Sequence, residues 1–108
     1  MKIQIPEQVN ILGINYKVKI TEDIKTDTKP YIYDGDEKTD YAGYFSSSAL
    51  TIFLDKHTAR QNMESVFIHE IIEIINHHLA LNLQHDNIDR LEVALYHVLT
   101  NNNILRKD

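Results

Sequence analysis

The chain has 108 residues, 43% of them hydrophobic, enough to bury one core and too few for a second, so residues 1–108 read as a single domain. Its net charge of −5, from 11 Lys and Arg against 16 Asp and Glu, excludes a phosphate-tracking surface, because non-specific nucleic-acid binding needs clustered cations to displace counterions. Cysteine is absent, which rules out disulfides, thiol nucleophiles and cysteine zinc knuckles and leaves histidine and carboxylates to hold any metal.

From the N-terminus, Met1 to Pro6 lack the apolar core and small-residue cleavage site of a secretory leader. No stretch approaches the roughly 20 apolar residues of a membrane span. The expectation is a soluble cytoplasmic protein with neither membrane nor nucleic acid as a partner. Val9 and Ile11, then Tyr16, Val18 and Ile20, are β-branched or aromatic residues at alternating positions, and Gly13 between them supplies a turn, so a hairpin is predicted. Thr21 to Lys29 is polar and reads as loop. Tyr31 to Tyr33 reads as a short strand, and Asp34 to Asp40 has turn and solvation chemistry with no apolar face. From Tyr41 the alternation returns, with Tyr44-Phe45 and Leu50-Thr51-Ile52-Phe53-Leu54 forming two strands around the Ser46-Ser47-Ser48 tip.

The second half is helical. A first helix is predicted to begin between Thr58 and Asn62 and run to about Ala80. A residue advances about 100° along a helix, which puts Glu73 about 40° from His69 and leaves Asn76 and Asn62 each about 20° away. These four form one narrow polar stripe. Phe67, Ile68, Ile71, Ile72, Ile74 and Ile75 cover an arc wider than a surface helix needs, so most of the helix is expected to be buried, and the stripe faces solvent, a cleft or a ligand. A second helix is predicted over about 86–101, capped by Asp86, with Ile88, Leu91, Leu95, Val98 and Leu99 on its core face. Glu92 borders that face, and a carboxylate there is costly unless paired. Asp89 points further towards water. The fold class is thus α+β, a small twisted, mostly antiparallel sheet packed on two antiparallel helices.

Residues four apart share a helix face, so His69 and Glu73 can present an imidazole nitrogen and a carboxylate oxygen to one ion. The short connection Asn82 to His85 folds the second helix back onto the first. Either Glu92 or His85 is then available as a third ligand. Glu70, beside His69 but displaced around the helix, is placed to act as general base on a metal-bound water. Val66-Phe67-Ile68-His69-Glu70-Ile71-Ile72-Glu73 nearly spells His-Glu-x-x-His, the helix-borne signature of zinc hydrolases, with glutamate in place of the second histidine.

Together with Leu50-Thr51-Ile52-Phe53-Leu54-Asp55 before it and Leu91-Glu92-Val93-Ala94-Leu95-Tyr96-His97-Val98-Leu99 after it, this segment resembles the small zincin-like metallopeptidases of the ImmA/IrrE and SprT-like kind, short phage and prophage relatives in particular. The resemblance covers roughly Tyr41 to Asn102. It implies a minimal zincin-like fold, a zinc-bound water, His69 as ligand, Glu70 as general base, Glu92 as another ligand, and a peptide or protein substrate. Glu73 stands where the pattern calls for histidine. A second carboxylate makes the ion a weaker Lewis acid and admits Mn2+ or Fe2+ beside Zn2+. The competing class is a catalytically inactive zincin-like phage or host-interaction protein whose metal site is structural or empty.

Three further groups have ordinary readings. His77 and His78 end the first helix, where positive charge suits the macrodipole, and His78 lies opposite His69. Tyr96 is an amphipathic boundary residue. The aromatics Tyr31, Tyr33, Tyr41, Tyr44 and Phe45 are assigned to sheet packing.

Overall fold

Residues 5–32 and 42–102 are described by the structure, a computed structural model, apart from the side chains of Arg60 and Gln61. Strands β1 (Gln8–Ile11) and β2 (Ile14–Thr21) form the predicted antiparallel hairpin, with Ile11 opposite Ile14. Leu12 and Gly13 between them have φ of 54° and 87°. Two successive positive φ values give the turn whose twist matches the flanking strands. The carboxamide oxygen of Asn10 accepts from Gly13 N–H at 3.0 Å.

The polar segment after β2, expected to be loop, contains a helix. α1 (Ile24–Thr28) is capped by Asp23, whose carboxylate accepts from Thr26 N–H at 3.2 Å and Thr26 Oγ1–H at 2.8 Å. Side-chain capping and the burial of Ile24 and Thr28 fix a single turn that hydrophobic periodicity is too coarse to register. A 3₁₀ turn over Lys29–Tyr31 follows. Of the predicted strand Tyr31 to Tyr33, Tyr31 thus belongs to this turn, whereas Tyr33, Tyr41 and the acidic segment Asp34 to Asp40 lie outside the described residues.

Strands β3 (Gly43–Ser46) and β4 (Thr51–Asp55) make the second predicted hairpin. At its tip Ser46 Oγ accepts from Ala49 N–H at 3.1 Å. The sheet order is β1-β2-β4-β3, and β2 pairs with β4 in parallel, Lys17 opposite Thr51. The sheet is therefore mixed, not mostly antiparallel. Ile52, Phe53 and Leu54 are consecutive and all buried. A strand apolar on both faces needs cover above and below and a paired neighbour on each edge, which a central position provides.

Helices α2 (Arg60–Leu79) and α3 (His85–Asn101) match the two predicted helices, so the described residues hold three α-helices rather than two. On one face of the sheet, Ile11, Tyr16, Ile52 and Leu54 pack against Met63, Phe67 and Ile74 of α2. On the other face Phe53 meets Tyr31, ring centroids 5.9 Å apart. The far side of α2, through Ile68 and Ile72, packs on Ile88 of α3, with Tyr96 and Leu99 at the border. α2 is the middle layer, which explains its wide apolar arc. Glu64 and Glu70 are buried carboxylates on this helix, and Glu64 is the more enclosed. Glu64 is 1% exposed, and its Oε2 has no hydrogen-bond partner among the described residues, which costs stability.

The face that α3 turns inward differs from the expected one. Ile88 is buried and Leu99 partly so, but Leu91, Leu95 and Val98 are exposed, at 40, 39 and 42%. The helix is rolled so that Ile88, Glu92, Tyr96 and Leu99 meet α2, because Ser65 and His69 there supply the hydrogen bonds that Glu92 requires. Asp86 is not the cap either. Gln84 occupies that position without a side-chain bond, and its carbonyl accepts from Asn87 and Ile88 N–H, while Asp86 adds negative charge to the first turn. Between the helices, Ala80 is left-handed and Asn76 Oδ1 accepts from Leu83 N–H at 2.9 Å. Asn76, one member of the polar stripe, thus holds the interhelix connection. No helix among the described residues is long and apolar enough to cross a membrane.

At this same C-terminal end of α2, Tyr16 Oη and His78 Nε2 are hydrogen-bonded at 2.7 Å. Burial pushes the Tyr16 phenol above its ordinary value of 10.0. A raised folded-state pKa leaves stability intact below the unfolded value and removes it as pH rises through the folded value. Tyr16→Phe is expected to lose about 1 kcal/mol at neutral pH, the worth of one hydrogen bond. Above about pH 10 wild type destabilises relative to Tyr16→Phe and the gap narrows. Urea melts of both proteins at neutral and alkaline pH test this, and a gap that widens with pH contradicts the assignment.

Candidate metal centre

A cleft of about 480 Å³ lies where β3, α2 and α3 meet. From α2 it is lined by Val66, His69, Glu70 and Glu73, and from α3 by His85, Asp89 and Glu92. Gly43 to Phe45 of β3, an edge strand among the described residues, form the third wall. Every residue proposed from the sequence as ligand or base therefore borders one cavity. Four carboxylates, Glu70, Glu73, Asp89 and Glu92, converge there beside two imidazoles. Such an excess of negative charge in a partly enclosed space favours a cation.

His69 is the most enclosed of the histidines in the cleft, its side chain 14% exposed. Its Nδ1 lies 2.8 Å from Glu92 Oε1 and 3.5 Å from Asp89 Oδ1. The second oxygen of Glu92 accepts from Ser65 Oγ–H at 2.5 Å. His85 sits at the first position of α3, its ring centroid 5.5 Å from that of His69, and its Nε2 is 3.8 Å from Asp89 Oδ2. His69, His85 and Asp89 each offer one ligand atom, and all three atoms lie within 4.8 Å of one another. Donors bound tetrahedrally at about 2.0–2.2 Å from an ion stand about 3.3–3.6 Å apart. Closing the set thus draws the donors together by up to about 1.5 Å, a movement open to the two exposed side chains, His85 and Asp89. Two nitrogens and one oxygen are a donor set that suits a borderline-soft divalent ion.

Asp89 is the member that apolar periodicity alone turns towards water. The signal was present, because His85 and Asp89 are four residues apart, the same spacing that draws attention to His69 and Glu73. The roll of α3 decides which such pair meets the first helix. Among the described residues Glu73 lines the cleft but stands outside the group of mutually close donors, and Glu92 engages His69 and Ser65.

Glu70 is buried against β3. Gly43 makes the approach possible, since a Cβ there would lie 2.5 Å from Val66 Cγ1 and 3.1 Å from Glu70 Oε2. His77 and His78 occupy the last turn of α2 as expected, His77 edge-on to Phe45 and His78 bonded to Tyr16. Tyr96 is partly buried at the α2–α3 border. Compared with protein-family models, curated proteins and solved structures, the chain matches none.

Proposed function

We propose that the cleft between α2 and α3 binds one divalent metal through His69, His85 and Asp89, and that the protein is a metallopeptidase-like hydrolase of the zincin kind. The observation that carries this reading is the mutual reach of those three donors inside a cleft that also holds a buried glutamate. Zn2+ suits the two imidazoles, and the carboxylates around them extend the choice to Mn2+ or Fe2+. A divalent ion supplies Lewis acidity, polarising a carbonyl and lowering the pKa of water. Glu70, on the same wall as His69, takes up the proton of the attacking water and returns it to the leaving amine. Among the described residues β3 is an edge strand, paired with β4 on one side, and an extended peptide is the substrate class that a sheet edge accepts.

Glu70→Gln tests the reading. It is expected to retain the metal, because Glu70 is outside the donor set, and to lose about 100- to 10,000-fold in peptide hydrolysis, the usual worth of a general base. Activity equal to wild type sinks the assignment of Glu70. Metal binding with no hydrolysis by wild type favours the second reading, an inactive relative with a structural ion, which the glutamate at Glu73 already motivates.

A further inference from the structure

Ser65 and Glu92 do something for His69 that neither sequence spacing nor the ligand set accounts for. Ser65 precedes His69 by one helical turn, so both side chains leave the same face of α2. Glu92 reaches across from α3 and bridges them, Oε2 to Ser65 Oγ at 2.5 Å and Oε1 to His69 Nδ1 at 2.8 Å. An ionised carboxylate only accepts, so the imidazole proton in this contact belongs to Nδ1 and the serine proton points the same way. Asp89 Oδ1, at 3.5 Å from the same nitrogen, is beyond good hydrogen-bond length and does not compete for that proton. With Nδ1 protonated, the lone pair of the neutral ring resides on Nε2.

We infer that Ser65 and Glu92 are a positioning pair that fixes His69 in its Nδ1–H tautomer and leaves the Nε2 lone pair as the one available to a metal, so that Glu92 acts through the histidine and is not itself a ligand. Both carboxylate oxygens are engaged by α2, and each bond restricts the other, since rotation of Glu92 towards an ion would break both at once. A carboxylate or carbonyl on the far nitrogen of a ligating imidazole fixes its orientation and raises its basicity. The role also explains the roll of α3, which leaves Leu91, Leu95 and Val98 in water while directing Glu92 inward. The metal part of the inference rests on the function proposed above, whereas the tautomer part does not.

Two measurements on the full chain test it. Long-range 15N–1H NMR of the metal-free protein in mildly alkaline buffer reads the His69 tautomer directly. Wild type is expected to show Nδ1–H. Glu92→Gln is expected to retain it, because the amide oxygen still accepts from Nδ1 while its NH2 group donates to Ser65, and Glu92→Ala is expected to lose it. Zinc titration against a competing chelator supplies the second readout. Ser65→Ala and Glu92→Ala are expected to weaken zinc by about 10- to 100-fold, the range for partners of a ligating histidine. Rescue by Glu92→Gln to within about tenfold of wild type marks positioning rather than ligation. An Nε2–H tautomer in wild type overturns the inference, as does a Glu92→Gln variant that loses zinc as completely as Glu92→Ala. If wild type takes up no zinc but shows Nδ1–H and the predicted response to both Glu92 variants, the proposed function fails and the positioning of His69 stands.

Discussion

Zinc added to metal-free protein is expected to raise its melting temperature, and His69→Ala to abolish the rise. A ligand that binds only the folded state at about 100 times its Kd contributes about 2.7 kcal/mol. For a domain of this size each kcal/mol moves the midpoint by about 4–8 °C, so the shift is roughly 10–20 °C. His69 is the α2 member of the donor group, its ring edge-on to that of His85. Its loss removes a nitrogen ligand and leaves the two exposed groups of α3 without a partner on α2. His85→Ala and Asp89→Asn each remove one donor from a set of three and are expected to reduce the shift strongly. Glu73→Gln is expected to leave most of it, because Glu73 is outside the mutually close group. Differential scanning calorimetry with zinc and with manganese decides the matter. If neither ion moves the melting temperature of wild type, the cleft is not a metal centre.

Gly43→Ala is expected to destabilise the protein by about 1–3 kcal/mol, the cost of forcing a methyl group into a packed interior. The added Cβ would meet Val66 Cγ1 at 2.5 Å and the Glu70 side chain at 3.1 and 3.2 Å. Valine on a helix has one strongly preferred χ1, so Cγ1 has little freedom to retreat. β3 must therefore move away from α2, widening the cleft and displacing the wall opposite His69. Combining Gly43→Ala with Val66→Ala removes the closest clash, so the double variant is expected to be more stable than the sum of the single losses. Thermal melts of the four proteins form the cycle. A Gly43→Ala protein that melts with wild type, or a cycle without coupling, shows that β3 and α2 are not in this contact.

Most of the polar lining of the cleft is legible from residue spacing. The i, i+4 relation of His69 and Glu73, the adjacent Glu70 and the border position of Glu92 follow from the helical period, His85 from the short interhelix connection, and the cleft is lined by all five. What spacing left open was the assembly of α3 on α2. Asp89 was placed towards water and Leu91, Leu95 and Val98 towards the core, whereas the structure exposes those three apolar residues and brings Asp89 to 3.5 Å from His69. Apolar periodicity ranks the faces of an isolated helix by hydrophobicity. It has no means of weighing a pair of hydrogen bonds to a partner on another helix against an apolar stripe left in water.

The same division runs through the sheet. Local chemistry determined both hairpins, because a turn with Gly13 and a tip of serines act over a few residues. It also determined the limits of the two long helices, where the apolar period begins and ends. The helical turn at Ile24–Thr28 was missed because its cap at Asp23 works by a single side chain in a polar segment. Only the tertiary structure decided that β2 and β4 run parallel, that β4 is central and β3 an edge, and that α3 meets α2 through Glu92. Each of these sets residues far apart in the chain against one another. Such pairings are fixed by which surfaces exclude water and satisfy buried polar groups together, and no single stretch of sequence carries that information.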